Sequence, residues 1–265
     1  MTNPKEPSVT FDIQKLAGQE KAWSLFAEML AVDGHDNLKA ASHGLARQFR
    51  GVDFRGKRVL DIGSGKGLMT VFAALSGAEH VVSMEPELQG SRSEVAQILQ
   101  GRIERLALEN VTVLPEDFNA WDPKGETFDI ILSFQSLEHL DESPHHALFH
   151  SQTHERCVRI TSRMRSLLND GGLAVVTNAC RYGLFALLRP YGIKRPWDRK
   201  VTNINWRIHQ NPRVWRHLFV EGGFSRVNII YPLPYSLRAL KAVVANPVVN
   251  FSLRAAFCLH CHCGS

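Results

Sequence analysis

The segment VLDIGSGKGLMT, from Val59 to Thr70, constrains this chain more than any other part of it. An apolar run closing on Asp61 and Ile62 reads as a buried strand, and glycines follow at 63, 65 and 67 before the apolar residues of a helix begin. Strand, glycine loop and helix in that order open a sheet of strand-helix repeats whose first turn cradles a phosphate, a dinucleotide or an adenosyl ligand. A P-loop needs a glycine five residues before its Gly-Lys pair and a Ser or Thr after it, and this chain has Leu60 and Gly67 in those places. A dinucleotide fingerprint needs its third glycine at position 68, where Leu68 stands. The first reading fails, and the second, an NAD-linked oxidoreductase, ranks low.

From Lys57 onward short apolar runs alternate with amphipathic stretches of helical length. This predicts strands near Arg58 to Ile62, His80 to Met84, Val111 to Leu114, Phe128 to Ser133, Gly172 to Thr177 and Arg226 to Tyr231. Helices are expected near Leu68 to Ser76, Leu88 to Leu108, His145 to Leu168 and Pro212 to Glu221. The spacing of Leu16, Trp23, Phe26, Ala27 and Leu30 adds a helix ahead of the repeats. Three regions follow: a helical preface over 1–50, the ligand-binding domain over 51–235, and a basic and apolar tail over 236–265.

Acidic residues then stand, in order, where successive strands end: Asp61, Glu85 in VVSMEPE, and Asp117 in LPEDF. The fourth strand runs into FDIILSFQSLEHL, and LLNDGGLAVV leads into the fifth. Together with Asp61-Ile62-Gly63-Ser64-Gly65-Lys66-Gly67, this series resembles the class I S-adenosylmethionine-dependent methyltransferases, and the Leu-Glu-His stretch resembles one large small-molecule branch of them. The resemblance covers Val59 to about Thr177 well. It implies an α/β, Rossmann-like, mostly parallel seven-stranded sheet with helices on both faces and an antiparallel last strand, carrying N-terminal helices and a basic C-terminal addition. Whether the chain after Tyr231 supplies that last strand stays open.

The cofactor implied is S-adenosylmethionine. Gly63, Ser64, Gly65 and Gly67 would let the backbone approach it closely, and Asp61 would add negative potential near its ammonium group. Glu85 would accept from the ribose hydroxyls, Asp117 from the adenine amino group, and Phe118 would pack on the ring. Ser133 and Gln135, at the exit of the fourth strand, complete the expected cofactor set. Methyl transfer from a sulfonium is an in-line displacement with a good leaving group, so a protein supplies alignment, exclusion of water and, where needed, a base. His139 is the candidate base because imidazole titrates near neutrality, with Glu138 beside it. The residues also suit a structural role in which both merely begin a helix. An Asn or Asp-Pro-Pro-aromatic sequence, usual in amino-group methylases of nucleobases, is missing, and Cys180 alone stands near enough to act as a nucleophile.

Charge divides the chain. Residues 1–180 hold 18 Lys and Arg against 24 Asp and Glu, whereas 181–265 hold 13 against 2. The basic part carries Tyr182, Tyr191, Trp197 and Trp206 among its cations, a composition that suits an anionic head group, a sugar phosphate or RNA as well as plain solvent. The expected acceptor is a small or lipid-linked molecule, methylated at oxygen, with peripheral membrane contact through the basic region; nucleic acid ranks lower. An RNA methyltransferase and a non-catalytic S-adenosylmethionine-binding module are the alternatives. The first residues lack the pattern of a secretory signal and no run of 18 apolar residues occurs, which predicts a cytoplasmic protein. His146, His150 and His154 recur every fourth residue, and CLHCHCGS closes the chain, but neither spacing completes an obvious metal site. The closing segment reads by default as a disordered tail.

Overall fold

A computed structural model describes residues 20–32, 45, 48–86, 94–140, 150–179, 212–230 and 256–264. Within them lie α1 (Glu20–Val32), β1 (Arg58–Ile62), α2 (Leu68–Leu75), β2 (His80–Met84), α3 (Glu94–Leu106), β3 (Val111–Leu114) and β4 (Phe128–Phe134). A 3-10 turn (Leu137–His139), α4 (Ser151–Ser166), β5 (Leu168–Ala179), α5 (Pro212–Glu221), β6 (Arg226–Ile230) and β7 (Ala256–His262) complete them. The strands form one seven-stranded sheet in the order β3-β2-β1-β4-β5-β7-β6. The first five pair in parallel, and β7 runs antiparallel to both neighbours. The strand order reverses between β1 and β4, and the crevice at such a switch point, beyond the carboxyl ends of the strands, is where sheets of this kind bind ligands.

The sheet has a core on each face because its central strands carry apolar side chains on both, interrupted at a few positions such as Asp61, Ser83 and Ser133. Leu60, Ile62, Val82, Met84 and Ile131 pack with Cys157, Ile160 and Met164 of α4 and with Trp215, Leu218 and Phe219 of α5. Val59, Val81, Ile130 and Leu132 face the other way, toward Phe26 and Leu30 of α1 and toward α2, which is apolar except for Thr70. This alternation sets the direction of the polar residues too: Asp61 lies two residues beyond Val59 and therefore points at α2.

The last strand departs from the sequence reading. Residues 256–262, of which those from Cys258 read by default as a disordered tail, form β7 and fill the gap between β5 and β6, with Leu259 opposite both Val176 and Ile229. The chain after Tyr231 thus supplies the antiparallel strand that the sequence left open. Phe257, Leu259, Cys261 and Cys263 join the core under α4 and α5, and Cys258 joins the other. The segment thus has the period of a strand buried on both faces, with cysteine in the role of a small apolar side chain. The same alternation sends Cys258 and Cys261 to opposite sides of the sheet. The helix expected from His145 is described only from Ser151, and His150 precedes it in extended backbone at φ −135°. His150 and His154 therefore do not form a continuous helical stripe, and His146 lies outside the described residues. So do residues 181–211 and 231–255, where the basic region and its aromatics were placed. Among the described residues no helix is long and apolar enough to cross a membrane.

Candidate active site

β1 ends in the glycine loop, and each glycine meets a different neighbour. All three adopt left-handed backbone, with φ of 65°, 54° and 82° at Gly63, Gly65 and Gly67. A Cβ on Gly63 would overlap the side chain of Ser136, and one on Gly67 would overlap Cδ1 of Leu99 in α3. Among the described residues, a Cβ on Gly65 would meet nothing within 4 Å. The outer two glycines are thus needed by the protein's own packing, and the middle one faces open space.

The loop is anchored from below and from the side. Met84 O accepts from the N–H groups of Gly63 (2.8 Å) and Ser64 (3.0 Å), so the end of β2 holds the start of the loop. The N–H of Gly65 donates to Glu85 Oε2 at 2.7 Å. Burial pushes the Glu85 carboxyl above its usual value, and the Gly65 bond opposes that shift. Two residues singled out from distant parts of the sequence are here in direct contact.

Asp61 is completely buried. Thr70 Oγ1, in the first turn of α2, donates to Asp61 Oδ2 at 2.7 Å and lies 2.9 Å from Ser83 Oγ. Ser83 is the register partner of Asp61 on β2, so the three side chains share one face. Burial pushes the Asp61 carboxyl up to about 7; the Thr70 bond opposes this, and the neighbouring Glu85 charge adds to it. Asp61 therefore ties β1 to α2 beneath the loop.

The exit of β4 closes the other side. Ser136 Oγ donates to Ile62 O at 2.6 Å and lies 2.8 Å from Ser133 Oγ, while Gln135, at φ 54°, donates its N–H to Thr177 O at 2.6 Å. The turn that follows carries His139, which is exposed and whose N–H donates to Ser136 O at 2.9 Å. Glu138 belongs to the same turn. Ser136 and Thr70 escaped the sequence reading; the spacing Ser133-x-x-Ser136 was the one signal available for the first.

After β3, Asp117 Oδ1 accepts from Asn119 N at 2.8 Å, a turn closed by its own side chain. Phe118 is 1% exposed, with the Arg163 guanidinium 5.3 Å from its ring centre. The sequence reading packs Phe118 on an adenine ring. In this structure it belongs instead to the core under α4. Among the described residues, no group of three His, Cys, Asp or Glu side chains is placed to hold a metal.

An adenosyl sulfonium suits what is present. Buried Asp61 Oδ1 and Ser64 Oγ have no hydrogen-bond partner among the described residues, the space above Gly65 admits a ligand, and the acids at the ends of β1 and β2, Asp61 and Glu85, are carboxylates beside the loop. Residues 34–228 match the family described as "Methyltransferase domain". A structure of an S-adenosylmethionine dependent methyltransferase from Mesorhizobium loti is 13% identical, with a TM-score of 0.53 over 79% of this chain and 92% of that one. A structure described as "StiE O-MT" is 14% identical, with a TM-score of 0.53 over 88% of this chain and 77% of that one. An Arabidopsis thaliana protein described as "Probable histone-arginine methyltransferase 1.4" is 33% identical over 81 residues, 30% of this chain. This chain spans only 14% of that protein's length. The glycine loop, the acidic residues at the ends of β1 and β2 and the sheet order agree with the match over 34–228: the chain belongs to the methyltransferase domain family and is an S-adenosylmethionine-dependent methyltransferase.

Proposed function

We propose that this enzyme methylates an oxygen of a small or lipid-linked acceptor, with His139 as the base that removes the acceptor's proton. The observation that carries this reading is the position of His139, exposed on a turn whose backbone is pinned to Ser136, which itself packs on Gly63. An imidazole there would stand beside the loop proposed to hold the cofactor, within reach of an acceptor hydroxyl whose proton a general base must take. The StiE fold neighbour is described as an O-MT, although at 14% identity the likeness concerns the fold alone.

When bound, S-adenosylmethionine supplies a methyl group on a positively charged sulfur that departs as a neutral thioether. Gly63, Ser64, Gly65 and Gly67 with Ser133 and Gln135 form the cradle, Glu85 accepts from the ribose hydroxyls, and Asp117 accepts from the adenine amino group. The acceptor's O–H gives its proton to His139 as the new O–CH3 bond forms, and Glu138 helps to shape that wall. The domain over 51–235 does this work in the cytoplasm, and the basic region over 181–265 meets a membrane surface.

Turnover with a labelled methyl donor against fractionated lipid and small-molecule extracts tests this reading. Product in an organic-soluble or small-molecule fraction, lost in His139→Ala while cofactor binding is retained, is the expected result. Full activity in His139→Ala, or label only in RNA, overturns it.

A further inference from the structure

Asp61 has one carboxyl oxygen provided for and one not. Thr70 Oγ1 donates to Oδ2 at 2.7 Å, and Ser83 Oγ lies 2.9 Å from the same hydroxyl. A hydroxyl has a single proton, so with that of Thr70 given to Asp61, Ser83 is the donor in the second contact. The Thr70 backbone adds to this hold. The chain from Ser83 through Thr70 thus fixes Oδ2 as an acceptor, and any proton on the carboxyl sits on Oδ1. That oxygen is buried and has no hydrogen-bond partner among the described residues.

Neither protonation state satisfies Oδ1. An ionised Oδ1 lacks a donor and a protonated one lacks an acceptor, and a buried polar atom left without a partner is destabilising. The elements packed on Asp61 supply no cation to relieve it. α2 carries no charged residue, and the register partners are Ser83 on β2 and Leu132 on β4. Glu85, just beyond β2, is the charged group that acts on Asp61 among the described residues, and its charge has the same sign. Lys66, in the loop, is exposed.

We propose that Thr70, backed by Ser83, is a positioning residue for the cofactor: by holding Oδ2 it leaves Oδ1 of Asp61 to accept from the cofactor's ammonium group, which takes the place of a proton. The O–H bond of Asp61 breaks, the proton passes to the buffer, and the ammonium keeps its own protons; no covalent bond to the cofactor forms. Burial pushes the Asp61 carboxyl up to about 7, so near neutrality a proton is present to be displaced. The Thr70 bond opposes that rise, so loss of the hydroxyl drives the carboxyl higher still. The inference rests on the cofactor lying over the glycine loop and not on which acceptor is methylated.

Calorimetric titration of the whole chain with S-adenosylhomocysteine, from pH 5.5 to 8.5 in buffers of different ionisation enthalpy, reads affinity and proton release together. Affinity should rise roughly tenfold per pH unit up to about pH 7 and level off above, with nearly one proton released at about pH 6 and almost none at about pH 8.5. Asp61→Asn should bind weakly and without the rise. Thr70→Val should bind about tenfold less tightly at pH 6, with its rise moved to higher pH and the deficit closing toward pH 8.5. Thr70→Ser, which keeps the hydroxyl, should follow the wild type. Ser83→Ala should shift the profile in the same direction by less, and it carries the test should Thr70→Val fail to fold. Binding that does not change with pH, no proton release at pH 6, or a deficit in Thr70→Val that is the same at every pH overturns this inference alone. No binding at any pH overturns the placement of the cofactor together with it.

Discussion

Glu85 and Gly65, twenty residues apart, are joined by a 2.7 Å hydrogen bond from the glycine N–H to the carboxylate. That bond draws the end of β2 over the glycine loop and sets the loop's middle peptide. A charge-assisted bond of this kind is worth about 1.5–3 kcal/mol. Glu85→Ala should therefore weaken S-adenosylmethionine binding by roughly ten- to a hundredfold, and Glu85→Gln, whose amide oxygen can still accept from Gly65, by less. Titration calorimetry on the two variants checks the order; equal affinity for both and for wild type contradicts it.

Asp61 makes stability depend on pH. Its carboxyl rises from an unfolded value of 3.8 to about 7 in the folded protein because it is buried. Between those values the folded state holds the proton and the unfolded state does not, so this group's contribution to stability falls as pH rises from about 4 to 7 and levels off above. Asp61→Asn, neutral throughout and still able to accept from Thr70, should flatten that part of the profile. Thermal unfolding of both proteins across pH 4 to 8 shows it; parallel profiles would contradict the buried carboxyl.

The glycines should separate in mutagenesis. Gly67→Ala places a methyl group against Leu99 at φ 82°, and Gly65→Ala places one in open space at φ 54°. Both incur backbone strain of about 1 kcal/mol, and Gly67→Ala adds an overpacking cost of about 1–3 kcal/mol. Gly67→Ala should thus lose more stability in urea unfolding, whereas Gly65→Ala should lose cofactor affinity beyond its loss of stability. The reverse order would place the ligand elsewhere.

The C-terminal cysteines should be inert while the protein is folded. Burial pushes the Cys258 thiol up to about 12 and the Cys261 thiol well above its usual value. A thiol reagent at pH 8, read by mass spectrometry, should label these two only in denaturant. Labelling of the native chain at Cys258 or Cys261 at the rate of a free thiol would show that β7 does not hold its place in the sheet.

The strands carrying the cofactor residues were legible because each is a short apolar run bounded by turn residues. β1, β2 and β3 lie where periodicity put them, and Glu85, just beyond β2, accepts from the loop at Gly65, whereas Asp61 is buried within β1 beneath it. Contacts made across the sheet left no such mark. Thr70 reads as one polar residue in an apolar helix until the register brings Ser83 and Asp61 to the same face. Ser136 reads as a loop residue until β4 pairs with β1 and lays it on Gly63. Phe118 sits beside an acid at a strand end, but its burial depends on α4, which lies more than thirty residues away in the chain. For β7 the chemistry of Cys and His concealed a simple alternating strand, because residues that can bind metals can equally fill a core.

Titration of the purified chain with S-adenosylmethionine, S-adenosylhomocysteine and NAD, each also against Gly65→Arg, tests the central claim most directly. Binding of the two adenosyl ligands to the wild-type chain, loss of both in Gly65→Arg and no heat with NAD are the results this account predicts. Heat with NAD alone, or undiminished adenosyl binding in Gly65→Arg, would contradict the placement of the cofactor over the loop from Gly63 to Gly67.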